Sequence, residues 1–130
     1  MFRIETIATR WLYSANVRSV DEWKACLRAA LLEARRARDP EAISVLRDTL
    51  ARIDNAEARD ISAAQHAVNG EIDRRVLTPE ETMALLEAEL RERRAASAHY
   101  ASLGQATQSD ALARQASVLE RVIAPSPPTS

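Results

Sequence analysis

The sequence has little glycine, little cysteine and few aromatic side chains. It contains two glycines and one cysteine among 130 residues, whereas glycine alone makes up about 7% of an average globular protein. So few glycines disfavour a multistranded sheet with many tight turns and exclude a Gly-rich phosphate-binding loop. Because Cys26 has no second cysteine to pair with, no intrachain disulfide can form and a reducing compartment is expected. The remaining composition predicts long helices joined by few connections.

The chain also lacks a strong net charge and any long hydrophobic run. Its formal net charge is −1, so no overall field attracts it to nucleic acid or to an anionic membrane. No apolar run approaches the roughly 18 residues of a membrane-spanning helix, and the N-terminus has no signal-peptide core. The sequence therefore predicts a soluble cytoplasmic protein without a membrane partner.

The chain length corresponds to one domain with two unusual ends. Residues 1–18 are predicted to form a flexible or weakly helical leader, which faintly resembles a transit peptide through its arginines and hydroxyl residues. Residues 19–124 form the helical domain. Residues 125–130 contain Pro125, Pro127 and Pro128 and are predicted to be a disordered tail.

Two helices are predicted in the first half of the domain. Ser19 and Glu22 have capping-box spacing, and the apolar face that follows consists of Trp23, Leu27, Ala30, Leu31 and Ala34. Asp39 and Pro40 end this helix and start the next, which predicts an antiparallel hairpin. The second helix has Ile43, Leu46, Leu50 and Ile53 at spacings of three and four. It is expected to end at Asn69-Gly70, with a break near Asp60 as the alternative, and a loop is predicted from Glu71 to Leu77.

A second helical hairpin follows from the capping signals in the other half. Thr78 and Glu81 form a predicted capping box around Pro79, and Gly104 is expected to end this helix. A last helix starts near Thr107 or Ser109. The predicted inward faces contain Met83, Leu86, Leu90, Ser97 and Tyr100, then Leu112, Leu119, Val122 and Ile123. Two hairpins packed through these faces make a small all-α four-helix bundle.

Few residues suggest catalysis. His66 and His99 lie on different elements without other ligands at metal-binding spacing, and both are interpreted as surface or boundary residues. Cys26 has no neighbouring base and is interpreted as a buried, inert thiol. The acidic residues are scattered, so no carboxylate pair is selected. We therefore expect no catalytic residue, no metal and no cofactor.

Clusters of arginine are the strongest chemical signal. One interpretation is a solvated charged face balanced by Glu87, Glu89 and Glu92. The other is a surface that contacts phosphates, since guanidinium groups match phosphate oxygens in geometry. The predicted nucleic-acid contacts are Arg35, Arg36, Arg38, Arg47, Arg91 and Arg94.

Several segments resemble one protein family. Ala37-Arg38-Asp39, Val45-Leu46-Arg47, Leu-Thr-Pro-Glu-Glu at 77–81 and Glu-Leu-Arg-Glu-Arg-Arg at 89–94 resemble the GatB/YqeY family over residues 20–123. The YqeY proteins are similar to the tail of the B subunit of the tRNA-dependent Asp/Glu amidotransferase. Complete members carry a second, smaller helical domain, and this chain is expected to lack it.

The resemblance implies a helical accessory module that binds tRNA or associates with components of the tRNA-dependent amidotransferase. Family naming attaches carbon–nitrogen ligase activity with glutamine as amido donor to such proteins, but no residue here is assigned to it. The alternative is a protein-interaction or structural module, including a homodimer through exposed apolar residues such as Trp11 or Val45. One contiguous basic face would favour nucleic acid, and arginines interspersed with acids would favour a protein partner.

Overall fold

Four helices form the described part of the chain. The computed structural model describes residues 18–66 and 76–124, and no strand occurs among them. The helices are α1 (Val20–Ala37), α2 (Pro40–His66), α3 (Pro79–Ser102) and α4 (Ala106–Ile123). The predicted all-α bundle of two hairpins is therefore confirmed. The predictions for residues 1–17, for the stop at Asn69-Gly70 and for the tail 125–130 lie outside the described residues.

A left-handed residue joins α1 to α2. Arg38 has φ 55° and ψ 46°, and the amide of Asp39 donates a hydrogen bond to the carbonyl of Ala34 at 3.0 Å. This pattern is a Schellman motif, formed here without glycine. The carboxylate of Asp39 then accepts a hydrogen bond from the amide of Ala42 at 3.1 Å and caps α2. The turn is so short that α1 and α2 must pack antiparallel.

The second hairpin begins with a complete capping box and turns at Gly104. The hydroxyl of Thr78 accepts a hydrogen bond from the amide of Glu81, and the Glu81 carboxylate accepts one from the amide of Thr78. At the far end, Gly104 has φ +73°, and the amide of Gln105 donates to the carbonyl of Tyr100 at 2.9 Å. α4 begins one residue before the predicted Thr107. It packs on α3 over the most extensive helix–helix contact in the bundle.

The core lies between α1, α2 and the first half of α3. Trp23, Leu27, Leu46, Ile53 and Leu86 are fully buried, and Leu119 of α4 closes the cluster. Of the predicted inward residues on α4, Leu112, Val122 and Ile123 are only partly buried.

One prediction about an apolar side chain is wrong. Val45 was expected to be exposed and available for a homodimer, but it is completely buried, because it shares the core-facing side of α2 with Leu46 and Thr49. Leu77 lies outside any helix, as predicted, and only 5% of it is exposed because it packs in the core. Trp11 lies outside the described residues.

Candidate interaction surface

A charged network connects α2 and α3 at the edge of the core. Glu89, which is only 6% exposed, accepts a hydrogen bond at 2.9 Å from Nη1 of Arg52 and also pairs with Arg93 one helical turn away. Arg52 also reaches Glu92 at 2.9 Å, and Arg93 reaches Asp48 at 2.9 Å. The hydrogen bond to Glu89 is the main reason why the pKa of Arg52 is raised. These guanidinium groups are compensated by carboxylates and are not free to bind an external anion.

The same network reaches the fourth helix. Nε of Arg93 donates to the side-chain oxygen of Gln115 on α4 at 3.1 Å. Arg93 therefore joins three helices, and it lies in the predicted α3 seam, seven residues after Leu86. The exterior interpretation of Glu89 is wrong, because this carboxylate lies in the core-facing seam between Leu86 and Arg93. The spacing of three and four residues could have identified both charged positions as inward-facing.

The six predicted phosphate contacts all have exposed side chains. Arg36 pairs with Glu33 at 2.8 Å, and Arg94 pairs with Glu120. Within residues 18–66 and 76–124, the other four have no ion-pair partner. One group lies where α1 ends and α2 begins, and the other group lies on α3. The two groups are Arg35, Arg36, Arg38 and Arg47, and Arg91 and Arg94.

A second charged contact lies at the opposite end of the α1–α2 hairpin. Nζ of Lys24 is 3.5 Å from a carboxylate oxygen of Asp54 and also pairs with Glu57. The hydrogen bond that Lys24 donates to Glu57 is the largest cause of the raised pKa of Lys24, and it outweighs the opposing effect of burial. This contact joins α1 to α2 and leaves no unpaired charge on Lys24.

The distal half of the α3–α4 hairpin extends beyond the core. From Arg94 to Arg114 no residue is buried, although both helices continue through this region. The two helices are joined there by reciprocal hydrogen bonds: the Ser97 hydroxyl donates to the carbonyl of Ser109 at 2.8 Å, and the Ser109 hydroxyl donates to the carbonyl of Ser97 at 2.9 Å. Leu103 at the tip is 57% exposed. This part of the hairpin presents its surface to solvent.

An open groove runs along this hairpin between α3 and α4. Its volume is about 360 Å³. The exposed side chains that line it lie on a different face of each helix from the buried residues Leu86 and Leu119. The lining side chains are small, except for the ion pair of Arg94 and Glu120, and they comprise Ser97, Ala98, Ala101, Ser109, Ala113, Ala116 and Ser117.

Among the described residues, the side chains of His99 and Cys26 form no reactive centre, and the side chain of His66 lies outside the described ones. His99 is exposed and its ring meets that of Tyr100 edge-on, with centroids 6.2 Å apart. Cys26, expected to be buried, is partly exposed, and its Sγ lies 3.8 Å from Nη1 of Arg18. Among the described side chains, no group of three or more His, Cys, Asp or Glu residues could hold a metal ion. No helix in the described segments is long and apolar enough to cross a membrane.

Comparisons with known proteins do not identify relatives. No family model, no curated protein and no solved structure matches the chain. The resemblance to the GatB/YqeY family therefore stays a prediction based on the segments quoted above.

Proposed function

We propose that this chain is a non-catalytic helical module that binds another protein through the distal half of its α3–α4 hairpin. The observation that carries the proposal is the region from Arg94 to Arg114, which is helical but contributes no buried side chain to the core. Isolated short helices are marginal in water, and most helices in proteins are stabilised by burying one face. A helical surface that remains uncovered in the single chain is suited to being covered by a partner.

The distribution of charge supports a protein partner over nucleic acid. Five arginines of the described region form ion pairs with acidic residues, and these are Arg36, Arg52, Arg93, Arg94 and Arg114. A surface in which acids alternate with arginines offers a polyanion little net attraction. The rim of a protein interface is polar and accessible to solvent, and exposed ion pairs are compatible with such a rim.

Site-specific photocrosslinking in the producing cells tests this proposal. A photoreactive phenylalanine analogue replaces Ala98, which lines the groove, and the matched control replaces Ala29, an exposed alanine on α1. We expect protein adducts from position 98 and none from position 29. Absence of adducts from position 98, or equal adducts from both positions, would contradict the proposal.

A second candidate is the tRNA-associated accessory function, including association with components of the tRNA-dependent amidotransferase. It is supported by the family resemblance and by four predicted arginines that are exposed and have no ion-pair partner among the described residues. These are Arg35, Arg38, Arg47 and Arg91. Such side chains could contact phosphates without reading bases.

Binding of total tRNA at low and moderate salt separates this candidate from the first. The double variant R35Q/R47Q removes two of the predicted contacts, and R28Q/R121Q removes the same charge at exposed positions outside the predicted set. The candidate requires binding that weakens with salt and that R35Q/R47Q reduces more than R28Q/R121Q. Absence of binding at low salt, or equal losses in both variants, would exclude it.

A further inference from the structure

The groove on the α3–α4 hairpin has opposite charges on its two sides. Arg94 stands on α3, Glu120 stands on α4, and the two side chains meet across one end of the groove. Both remain more than half exposed, at 53% and 59% of the side-chain surface. Each charge therefore still has room for a second partner of opposite sign.

This arrangement is complementary to a copy of itself. A twofold axis parallel to the helices and placed above the groove would set α3 of one copy over α4 of the other. Rotation about such an axis leaves the position of every atom along the helix direction unchanged. Because Arg94 and Glu120 form an ion pair, the guanidinium and the carboxylate already lie at the same position along that direction. Arg94 of each copy would then face Glu120 of the other, forming a ring of four alternating charges. Isologous twofold contacts of this kind are the commonest in oligomers.

The side chains along the groove permit close approach of the second copy. The side chain is only a methyl group at Ala98, Ala101 and Ala113. The hydroxyls of Ser97 and Ser109 are already hydrogen-bonded, because each donates to the backbone carbonyl of the other residue. Helices that meet through such small residues can bring their backbones close together. Apart from Arg94 and Glu120, which form the charged end, the described side chains that line the groove are small.

The size of the surface indicates a weak dimer. α4 has 18 residues and is about 27 Å long at the α-helical rise. Two helices of about 10 Å diameter then give a face on the order of 500 Å² per copy. Twice this area lies at the lower limit for a specific interface. Interfaces of this size include weak and transient ones, and the test below is designed for a dissociation constant on the order of 10 µM.

We infer that the partner on the α3–α4 groove is a second copy of this chain, packed face to face around the Arg94–Glu120 pair. The inference rests on the proposed function, because it names the protein that the hairpin binds. In this dimer, α3 packs antiparallel to α4 of the same copy and also to α4 of the other copy. The assembly therefore contains a second four-helix bundle made of two hairpins.

Sedimentation velocity of the purified full chain over about 1–200 µM tests the inference, since this range brackets a constant on the order of 10 µM. The mass is expected to rise from 14.4 kDa to twice that value. E120R places four positive charges in the ring, and it should raise the dissociation constant by about tenfold or more. The charge-swapped R94E/E120R variant restores alternation and should return the constant to within about threefold of the wild-type value.

Matched variants separate this effect from a general loss of charge or fold. E33R breaks the exposed Arg36–Glu33 pair on α1, and it should leave the dimer unchanged. A98W fills the groove and should abolish the dimer, whereas A29W on the exposed side of α1 should not. Circular dichroism confirms that each variant remains helical.

Two outcomes overturn the inference. One is a dimer that persists in both E120R and A98W, since it must use another surface. The other is a chain that stays monomeric up to about 200 µM, a concentration well above a constant of that order. If the monomeric chain still forms adducts from position 98 with a different protein, the proposed function stands and only the self-association fails. Without any adduct from position 98, both fail.

Discussion

Arg52 and Glu89 are 37 residues apart in the chain, yet Nη1 of Arg52 lies 2.9 Å from a carboxylate oxygen of Glu89. The contact joins α2 to α3, and its carboxylate is almost completely removed from solvent. Arg93, one turn further along α3, contacts the same carboxylate and also donates to Gln115 of α4. Glu89 is therefore a buried carboxylate that Arg52 and Arg93 share, whereas their other acidic partners, Glu92 and Asp48, are exposed.

Replacing Glu89 with alanine should destabilise the bundle. The change leaves Arg52 and Arg93 with fewer acceptors in a partly buried position, at a cost of about 2 kcal/mol in the free energy of unfolding. E92A is the matched control, because Glu92 pairs with the same Arg52 but is 61% exposed. It should cost no more than about 0.5 kcal/mol. Urea unfolding, analysed with one m-value for all variants, measures both changes in the free energy of unfolding. Similar losses in E89A and E92A would contradict the central role of Glu89.

The sequence was sufficient to predict the helices and their order because these depend on local signals. Thr78 and Asp39 cap the helices that their positions predicted, and Gly104 adopts the left-handed conformation that its position after α3 suggested. Leu46 and Ile53 are buried as their periodicity indicated. Capping and periodicity operate within a few residues, so a single sequence displays them directly.

The charged network and the groove were not predicted because both depend on how the hairpins pack. Glu89 and Arg93 lie in an apolar seam, but charged residues in such a seam are first interpreted as exposed unless their partners are known. Those partners, Arg52 and Asp48, come from a helix more than 35 residues away. Val45 was misassigned for a related reason, since α2 buries a broader face than one seam. Arg36 and Arg94 were correctly expected at the surface, but their acidic partners were not identified.

Stability at alkaline pH should depend on Lys24. Its pKa is raised above 10.5 chiefly by the hydrogen bond that it donates to Glu57, so the folded state binds this proton more tightly than the unfolded chain. The resulting stabilisation is fully present below pH 10.5 and is lost as the pH rises through the higher folded-state pKa. We expect K24M to be less stable than the wild type at neutral pH, and the difference to shrink at pH values above 10.5.

The measurement is urea unfolding of wild type and K24M from neutral to strongly alkaline pH. R36M serves as the control, because it removes an exposed ion pair on the same helix and arginine does not titrate in this range. Its difference from the wild type should stay constant. A K24M difference that is equally constant, or that grows with pH, would refute the linkage.

Removing the cap of α3 should also weaken the bundle. T78A deletes the hydroxyl that accepts a hydrogen bond from the amide of Glu81 at 3.1 Å, and it should cost about 1 kcal/mol in the free energy of unfolding. T78S keeps a hydroxyl at this position and should lose no more than about half of that amount. Thermal and urea unfolding provide the comparison. If T78S is as unstable as T78A, the loss arises from packing of the threonine methyl group and the capping explanation is wrong.

The turn between α3 and α4 should require glycine for its backbone conformation. Gly104 has φ +73°, and a Cβ built there would meet no atom within 4 Å, so a substitution introduces backbone strain without a steric clash. G104A should therefore lower the free energy of unfolding by about 1 kcal/mol, and G104N by less, because asparagine tolerates the left-handed region better than alanine. Urea unfolding ranks the wild type, G104A and G104N by their free energy of unfolding. Amide hydrogen exchange at Leu103 and Gln105 shows whether the loss of stability is local to the turn. Equal stability of G104A and wild type would mean that the turn readily adopts another conformation. The groove beside it would then be less well ordered than the paired hydroxyls of Ser97 and Ser109 imply.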